Sequence, residues 1–151
     1  MRIEVREVKI ADHIEAVQAL IAANWAETGF DFPLAIDWAR YCTLQDAGVA
    51  FAVAALDGEQ IVGYSTAFLT RQIFNPSVVA CMSDALFVAP EYRKCSAAFK
   101  LIKATERIGE ARGAHRMMWC TRAGTSFAKV LARRGYAEAD VVMTRRVGHG
   151  Q

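Results

Sequence analysis

The sequence predicts an α/β (α+β) chain: one mixed, mostly antiparallel sheet with a parallel, splayed β-α-β crossover and helices on both faces. Three observations predict it. Long apolar strands follow one another in the first half, joined by the turn signals "DGEQ" and "NPS". The second half alternates strand and helix patterns. Its strand–helix–strand order makes a crossover, which sets two strands parallel if they share a sheet.

The elements follow in order. "RIEVREVK" alternates Ile3, Val5 and Glu7 against Arg2, Glu4 and Arg6, a half-buried strand. Asp12 stands three residues before Glu15, as in a capping box. Ile14, Val17, Leu20, Ile21, Asn24 and Trp25 then recur at helical spacing. "TGFDFP" breaks that helix. Leu34, Trp38, Tyr41 and Gln45 give a shorter one, stopped by Gly48. "VAFAVAAL" is apolar on both faces, hence a buried central strand. "IVGYSTAFLTRQ" returns beside it, and "VVACMSDALFVA" is the next long strand. Ser96 to Arg112 reads as a helix with Ala98, Leu101, Ile102, Thr105 and Ile108 inward, Lys100, Lys103, Arg107 and Glu110 outward, and Gly113 as its end. "HRMMWCT" is a short strand. "TSFAKVLARR" is a helix stopped by Gly135. "EADVVMTRRV" reads as a closing strand. Residues 1–147 are expected to form a single domain and 148–151 a loose tail.

Composition excludes several classes. With 54% hydrophobic and 23% charged residues the chain is globular, not fibrous or disordered. A net charge of +2 does not point to nucleic acid. Lys129, Arg133, Arg134, Arg145 and Arg146 form one basic cluster, which fits a solvated face or a contact for a phosphorylated ligand. The four cysteines and three histidines are scattered without metal-ligand spacing, so no metal is expected. The start "MRIEVREVKI" lacks a signal-peptide pattern, and no apolar run approaches the roughly 20 residues a membrane span needs. A reducing cytoplasm and reduced thiols are the expectation.

The stretch "VAPEYRKCSAAFKLI" joins a strand end, a turn and a helix start. Ligands of such sheets favour the carboxyl end of the crossover strand. An anion suits a helix start, where backbone N–H groups lack partners. Cys95, Ser96, Ala97 and Ala98 are four small residues in a row, and Arg93 and Lys94 add charge. An ordinary helix start packed on a sheet reads the same way.

The larger block "LFVAPEYRKCSAAFKLI" resembles the signature block of the GNAT superfamily of acyl-CoA N-acyltransferases. Leu86, Val88, Pro90, Arg93 and Ala98 match it, and Ser96 replaces its first glycine. "SFAKVLARRGYAEADVVMTRRV" resembles the family's second block, with Gly135-Tyr136 in place of Gly-Phe. The resemblance implies an N-acetyltransferase that moves an acetyl group from acetyl-CoA to a primary amine by direct attack. It implies that the pyrophosphate sits on the amides of Arg93, Lys94, Cys95, Ser96, Ala97 and Ala98. The pantetheine arm would pair with Leu86, Phe87 and Val88. A homodimer is expected by the same resemblance, with a small-molecule or protein amine as acceptor.

Acyl transfer to an amine needs a neutral nucleophile, although such amines have a pKa of about 10. It also needs a proton acceptor and a donor for the developing oxyanion. Phe87 N–H is the oxyanion candidate. Asp84 is the base candidate, placed by alternation on the same face as Leu86 and Val88. A structural carboxylate at a bulge, or one paired with an arginine, fits Asp84 equally. The family's usual acid, a tyrosine four residues before the second-block glycine, is replaced by Leu131. A non-catalytic member that binds CoA or a protein is therefore the alternative. Trp25, Phe30, Phe32, Trp38 and Tyr41 are either core or an acceptor wall.

Overall fold

The computed structural model describes residues 2–148. Contacts divide the chain into two compact units, Met1–Cys120 and Thr121–Gln151. The first holds β1 (Ile3–Val8), α1 (Ile14–Thr28), α2 (Trp38–Asp46), β2 (Ala50–Asp57), β3 (Gln60–Arg71), β4 (Val79–Val88), α3 (Ala97–Ala111) and β5 (Arg116–Met118). The sheet order is β1-β2-β3-β4-β5. The first three pairings are antiparallel, and β4–β5 is parallel.

Helices cover both faces of the sheet. On one face Phe51, Val53, Val62, Cys81 and Val88 pack with Ala97, Leu101 and Ala104 of α3. On the other, Ala54, Leu56 and Ile61 meet Val17 and Leu20 of α1. This explains why β2 shows no alternation: Ala50 to Leu56 are all buried. Full burial of side chains such as Phe51 and Leu101 contributes about 1.5–3 kcal/mol each. Between sheet and α3, the Thr105 hydroxyl lies 3.0 Å from Ser65 Oγ and 2.8 Å from the Leu101 carbonyl, so the two buried hydroxyls have partners.

Two features of the sheet shape the site. First, β5 pairs with β4 only from Ala80 to Met82, although β4 continues to Val88. The two strands therefore splay, and residues 83–88 have an outer edge without a strand partner among the described residues. Second, Thr66 pairs with Ala85 and Ala67 with Ser83, so Asp84 is an extra residue in β4, a β-bulge. The bulge reverses the alternation. Cys81, Leu86 and Val88 pack toward α3, whereas Asp84 bonds Tyr41 of α2. Asp84 thus lies on the face opposite Leu86 and Val88, contrary to plain period-two reading.

The start of α1 also differs from expectation. A short 3-10 turn takes Ile10–Asp12, and His13 becomes the N-cap with no side-chain cap bond. The Asp12–Glu15 capping box is therefore not formed. The turn is held because Gln45 accepts from Ile10 N–H at 2.8 Å and donates to the Val8 carbonyl at 2.8 Å.

The second unit contains α4 (Ser126–Arg133), capped by Thr125, whose side chain accepts from Ala128 N–H. The strand expected over 138–147 does not form. Val141, Val142 and Met143 are 79%, 82% and 86% exposed. Of the tail expected over 148–151, residues 149–151 lie outside the described residues.

Candidate active site

The turn after β4 begins with a 3-10 segment, Pro90–Tyr92, and runs into α3 at Ala97. Three of its amides are used locally: Tyr92 N–H donates to the Ala89 carbonyl, Arg93 N–H to the Pro90 carbonyl and Cys95 N–H to the Tyr92 carbonyl. The N–H groups of Lys94, Ser96, Ala97 and Ala98 have no acceptor among the described residues. They lie together at the positive end of a 15-residue helix, which favours an anion. Ser96 is the helix N-cap but makes no side-chain cap bond, so its hydroxyl is not spent on the helix. Its φ is −77°, so serine stands in the glycine position without left-handed strain.

Arg93 turns back toward the strand. Its Nε donates to the Val88 carbonyl at 2.9 Å, and Nη2 donates to Glu27 of α1 at 2.6 Å. Lys94, by contrast, makes no ion pair among the described residues.

The register decides which β4 peptides face the open edge. Ala89 N–H donates to the Val62 carbonyl at 2.9 Å. Bonded and non-bonded pairs alternate along an antiparallel ladder. Gly63–Val88 and Ser65–Leu86 are then non-bonded pairs, and Tyr64–Phe87 is a bonded one. The peptides of Leu86 and Val88 face the open edge, whereas Phe87 N–H points at β3. Gly63 is needed beside this strand, because a Cβ there would stand 2.9 Å from the Phe87 carbonyl oxygen.

Asp84 is exposed and sits in a small polar group. Tyr41 and Thr66 both donate to its Oδ2, Thr66 at 3.2 Å. Tyr64, two residues before Thr66 on β3, accepts a hydrogen bond from the Asn24 amide of α1 at 3.0 Å. Burial, and then the Asp84 carboxylate, hold the Tyr41 phenol well above the ordinary range. Burial also raises Tyr64, aided by the Asp84 charge and opposed by the Asn24 hydrogen bond. Both phenols therefore keep their protons at neutral pH.

Of the predicted site residues, Asp84, Leu86, Phe87 and Val88 lie along one strand that leads into the turn of Arg93 to Ala98. The aromatics divide into two groups. Trp25, Phe30 and Phe32 contact one another with centroids 4.7–5.1 Å apart. Trp38 and Tyr41 join Phe68 of β3 instead. Sequence reading missed Thr66, Tyr64 and the tie between Tyr41 and Asp84. A signal existed: Tyr64, Thr66 and Phe68 share one face at period two, and Asn24 interrupts an apolar stripe. Leu131 of α4 is buried. Among the described residues, no group of three or more His, Cys, Asp or Glu is placed to hold a metal ion, and no helix is long and apolar enough to cross a membrane.

Several solved structures share this fold. A glucosamine-6-phosphate N-acetyltransferase from Arabidopsis thaliana superposes with a TM-score of 0.76 at 10% identity, covering 98% of this chain and 100% of that one. An aminoglycoside acetyltransferase from an uncultured soil metagenomic sample, in complex with sisomicin, gives 0.75 at 19% identity, with 96% and 95% covered. A ribosomal-protein-alanine N-acetyltransferase from Brucella melitensis gives 0.72 at 18% identity, with 97% and 100% covered. No curated protein matches the sequence. The model of the Acetyltransferase (GNAT) family matches residues 14–136, most of the chain. By that match, and with the splayed β4 leading into an uncapped helix start, the chain belongs to the GNAT acetyltransferase family.

Proposed function

We propose that this protein transfers an acetyl group from acetyl-CoA to a primary amine by direct attack. One observation carries the proposal: the open edge of β4 runs straight into four unused amides at the start of α3. The first suits an extended amide-bearing arm, the second a diphosphate.

In this mechanism the diphosphate rests on the amides of Lys94, Ser96, Ala97 and Ala98, with the Arg93 and Lys94 charges nearby and Cys95 supplying a small side chain. Pantetheine pairs with the outward peptides of Leu86 and Val88. The oxyanion donor moves from Phe87, whose N–H is in the ladder, to Leu86 N–H. Phe87 contributes its ring beside Tyr64, 6.3 Å between centroids. Asp84 takes the amine proton. The C–N bond forms, the C–S bond breaks, and the thiolate leaves with its electron pair. Thiol pKa values of about 8–9 make that departure feasible without a dedicated acid.

Residues 1–147 act on this proposal as one domain, since the family match runs across both compact units. All four cysteines are free thiols, in keeping with a reducing cytoplasm. The acceptor is a small-molecule or protein amine, and a homodimer is the proposed assembly.

The test is thiol release from acetyl-CoA across a panel of amines, with Asp84→Asn beside the wild type. Asp84→Asn is expected to lower kcat about 100-fold or more while acetyl-CoA binding stays within about two-fold. Equal activity in that variant removes Asp84 from the mechanism. The buried Leu131 favours a second reading, a non-catalytic CoA- or protein-binding member. Calorimetric binding of acetyl-CoA without thiol release on any amine would establish it.

A further inference from the structure

We infer that Tyr41 is a positioning residue: it ties Asp84 down through Oδ2 and leaves Oδ1 as the oxygen that meets the acceptor's ammonium group. The inference rests on the amine acetyltransferase reading and names how that site receives its substrate.

The geometry begins in α2. Asp37 caps this helix by accepting from Arg40 N–H at 2.9 Å. Tyr41 follows one turn later, its N–H on the Asp37 carbonyl at 3.1 Å. Its ring is stacked on Phe68 of β3, 6.2 Å between centroids and 18° between planes. Packing therefore fixes the phenol before it meets the carboxylate. Thr66, on the same face of β3 as Phe68, brings its hydroxyl to the same oxygen. Two neutral donors thus converge on Oδ2, one from a helix and one from a strand.

Oδ1 has no donor, and no lysine or arginine pairs with Asp84, among the described residues. The groups that face the carboxylate are all neutral at working pH. They are Tyr41 from α2, and Thr66 and Tyr64 from β3; α1 adds the Asn24 amide, which holds Tyr64. This exposed carboxylate is fixed on one side and has no counter-charge among the described residues, which leaves Oδ1 open to a cation such as an alkylammonium.

The proton balance is simple. R–NH₃⁺ gives one proton to Asp84 Oδ1 and becomes a neutral amine. The amine attacks the thioester carbon, and the thiolate departs. The second nitrogen proton passes to the thiolate, and Asp84 later releases its proton to water. Tyr41 keeps its own proton throughout, because its phenol is too weak an acid to give it up at this pH.

Two measurements test the role. The first needs no turnover: ultraviolet titration of the phenols at alkaline pH in wild type, Tyr41→Phe and Asp84→Asn. Removing the carboxylate should bring one phenol transition to lower pH, and Tyr41→Phe should delete that same transition. If Asp84→Asn leaves every transition in place, the contact is absent in solution and the inference is overturned. The second is steady-state thiol release across the amine panel. Tyr41→Phe should lower kcat about 10- to 100-fold while acetyl-CoA affinity stays within about two-fold, a split that a general loss of structure would not give. Full activity overturns the inference while leaving the transferase proposal intact. A wild-type protein that releases no thiol overturns that proposal and Tyr41's assigned role together, and the phenol titration then reports on the contact alone.

Discussion

Arg93 reaches back over its own strand and donates through Nε to the Val88 carbonyl at 2.9 Å, while its guanidinium lies 5.2 Å from the centre of the Phe87 ring. The basic side chain that sequence reading assigned to a diphosphate thus rests on the open edge, held at its far end by Glu27 at 2.6 Å. Both partners of that ion pair are nearly half exposed, so it contributes only about 0.2–1 kcal/mol.

Glu27→Gln should therefore release Arg93 toward the cofactor. On the acetyl-CoA proposal, affinity should rise up to about five-fold, the equivalent of about 1 kcal/mol. Calorimetry at low and moderate salt measures it. Unchanged or weaker binding would show that Arg93 serves the strand edge and not the diphosphate.

Ser96 offers a sharper test of the turn. Its φ of −77° lies where any residue is comfortable, so the freedom of glycine is not used. Ser96→Gly should leave acetyl-CoA affinity within about two-fold and cost a few tenths of a kcal/mol in stability. Ser96→Trp should abolish binding with the fold intact, because a large side chain blocks approach to the amides. A glycine variant that binds more than about ten-fold tighter contradicts the claim that serine fits without strain.

Much of the fold was legible because its signals are local. The unbroken apolar run of β2 announced burial on both faces, and Asp57-Gly58 announced the hairpin. What failed needed a distant partner. The Asp12–Glu15 pair has the form of a capping box, yet Gln45 fastens Ile10 and the turn forms first. Residues 138–147 carry the β-favouring run Val141-Val142-Met143, as a strand can, but a local run does not by itself make a ladder. The bulge at Asp84 has no residue signature of its own, so period-two counting carried Asp84 to the wrong face.

The site divides the same way. The turn and Asp84 are contiguous in sequence and could be read as a linear motif. Tyr41 and Thr66 come to Asp84 from 43 and 18 residues away, by way of α2 and β3. Only packing brings them there. The register that turns Phe87 N–H inward is likewise a property of paired strands.

Cys81 yields a prediction independent of any ligand. It is fully buried, its Sγ 3.0 Å from where a Cβ on Gly109 would stand. Burial pushes the thiol up to about 11, against a smaller pull from the Arg112 charge. An unfolded thiol titrates at about 8.5. The folded state therefore keeps its proton in a range where the unfolded state loses it, and stability falls as pH rises. The contribution is fully present below about pH 8.5 and is lost as pH climbs through about 11. Each unit is worth about 1.4 kcal/mol, so the loss is about 3 kcal/mol. Tyr41 and Tyr64 act in the same direction at higher pH, so the comparison must be with Cys81→Ala. That variant should be less stable at pH 8 because of its cavity, by roughly 1–2 kcal/mol, but should show a shallower decline toward pH 11. Urea unfolding of both proteins across that interval decides the matter, and parallel curves would mean that the thiol ionises as readily folded as unfolded.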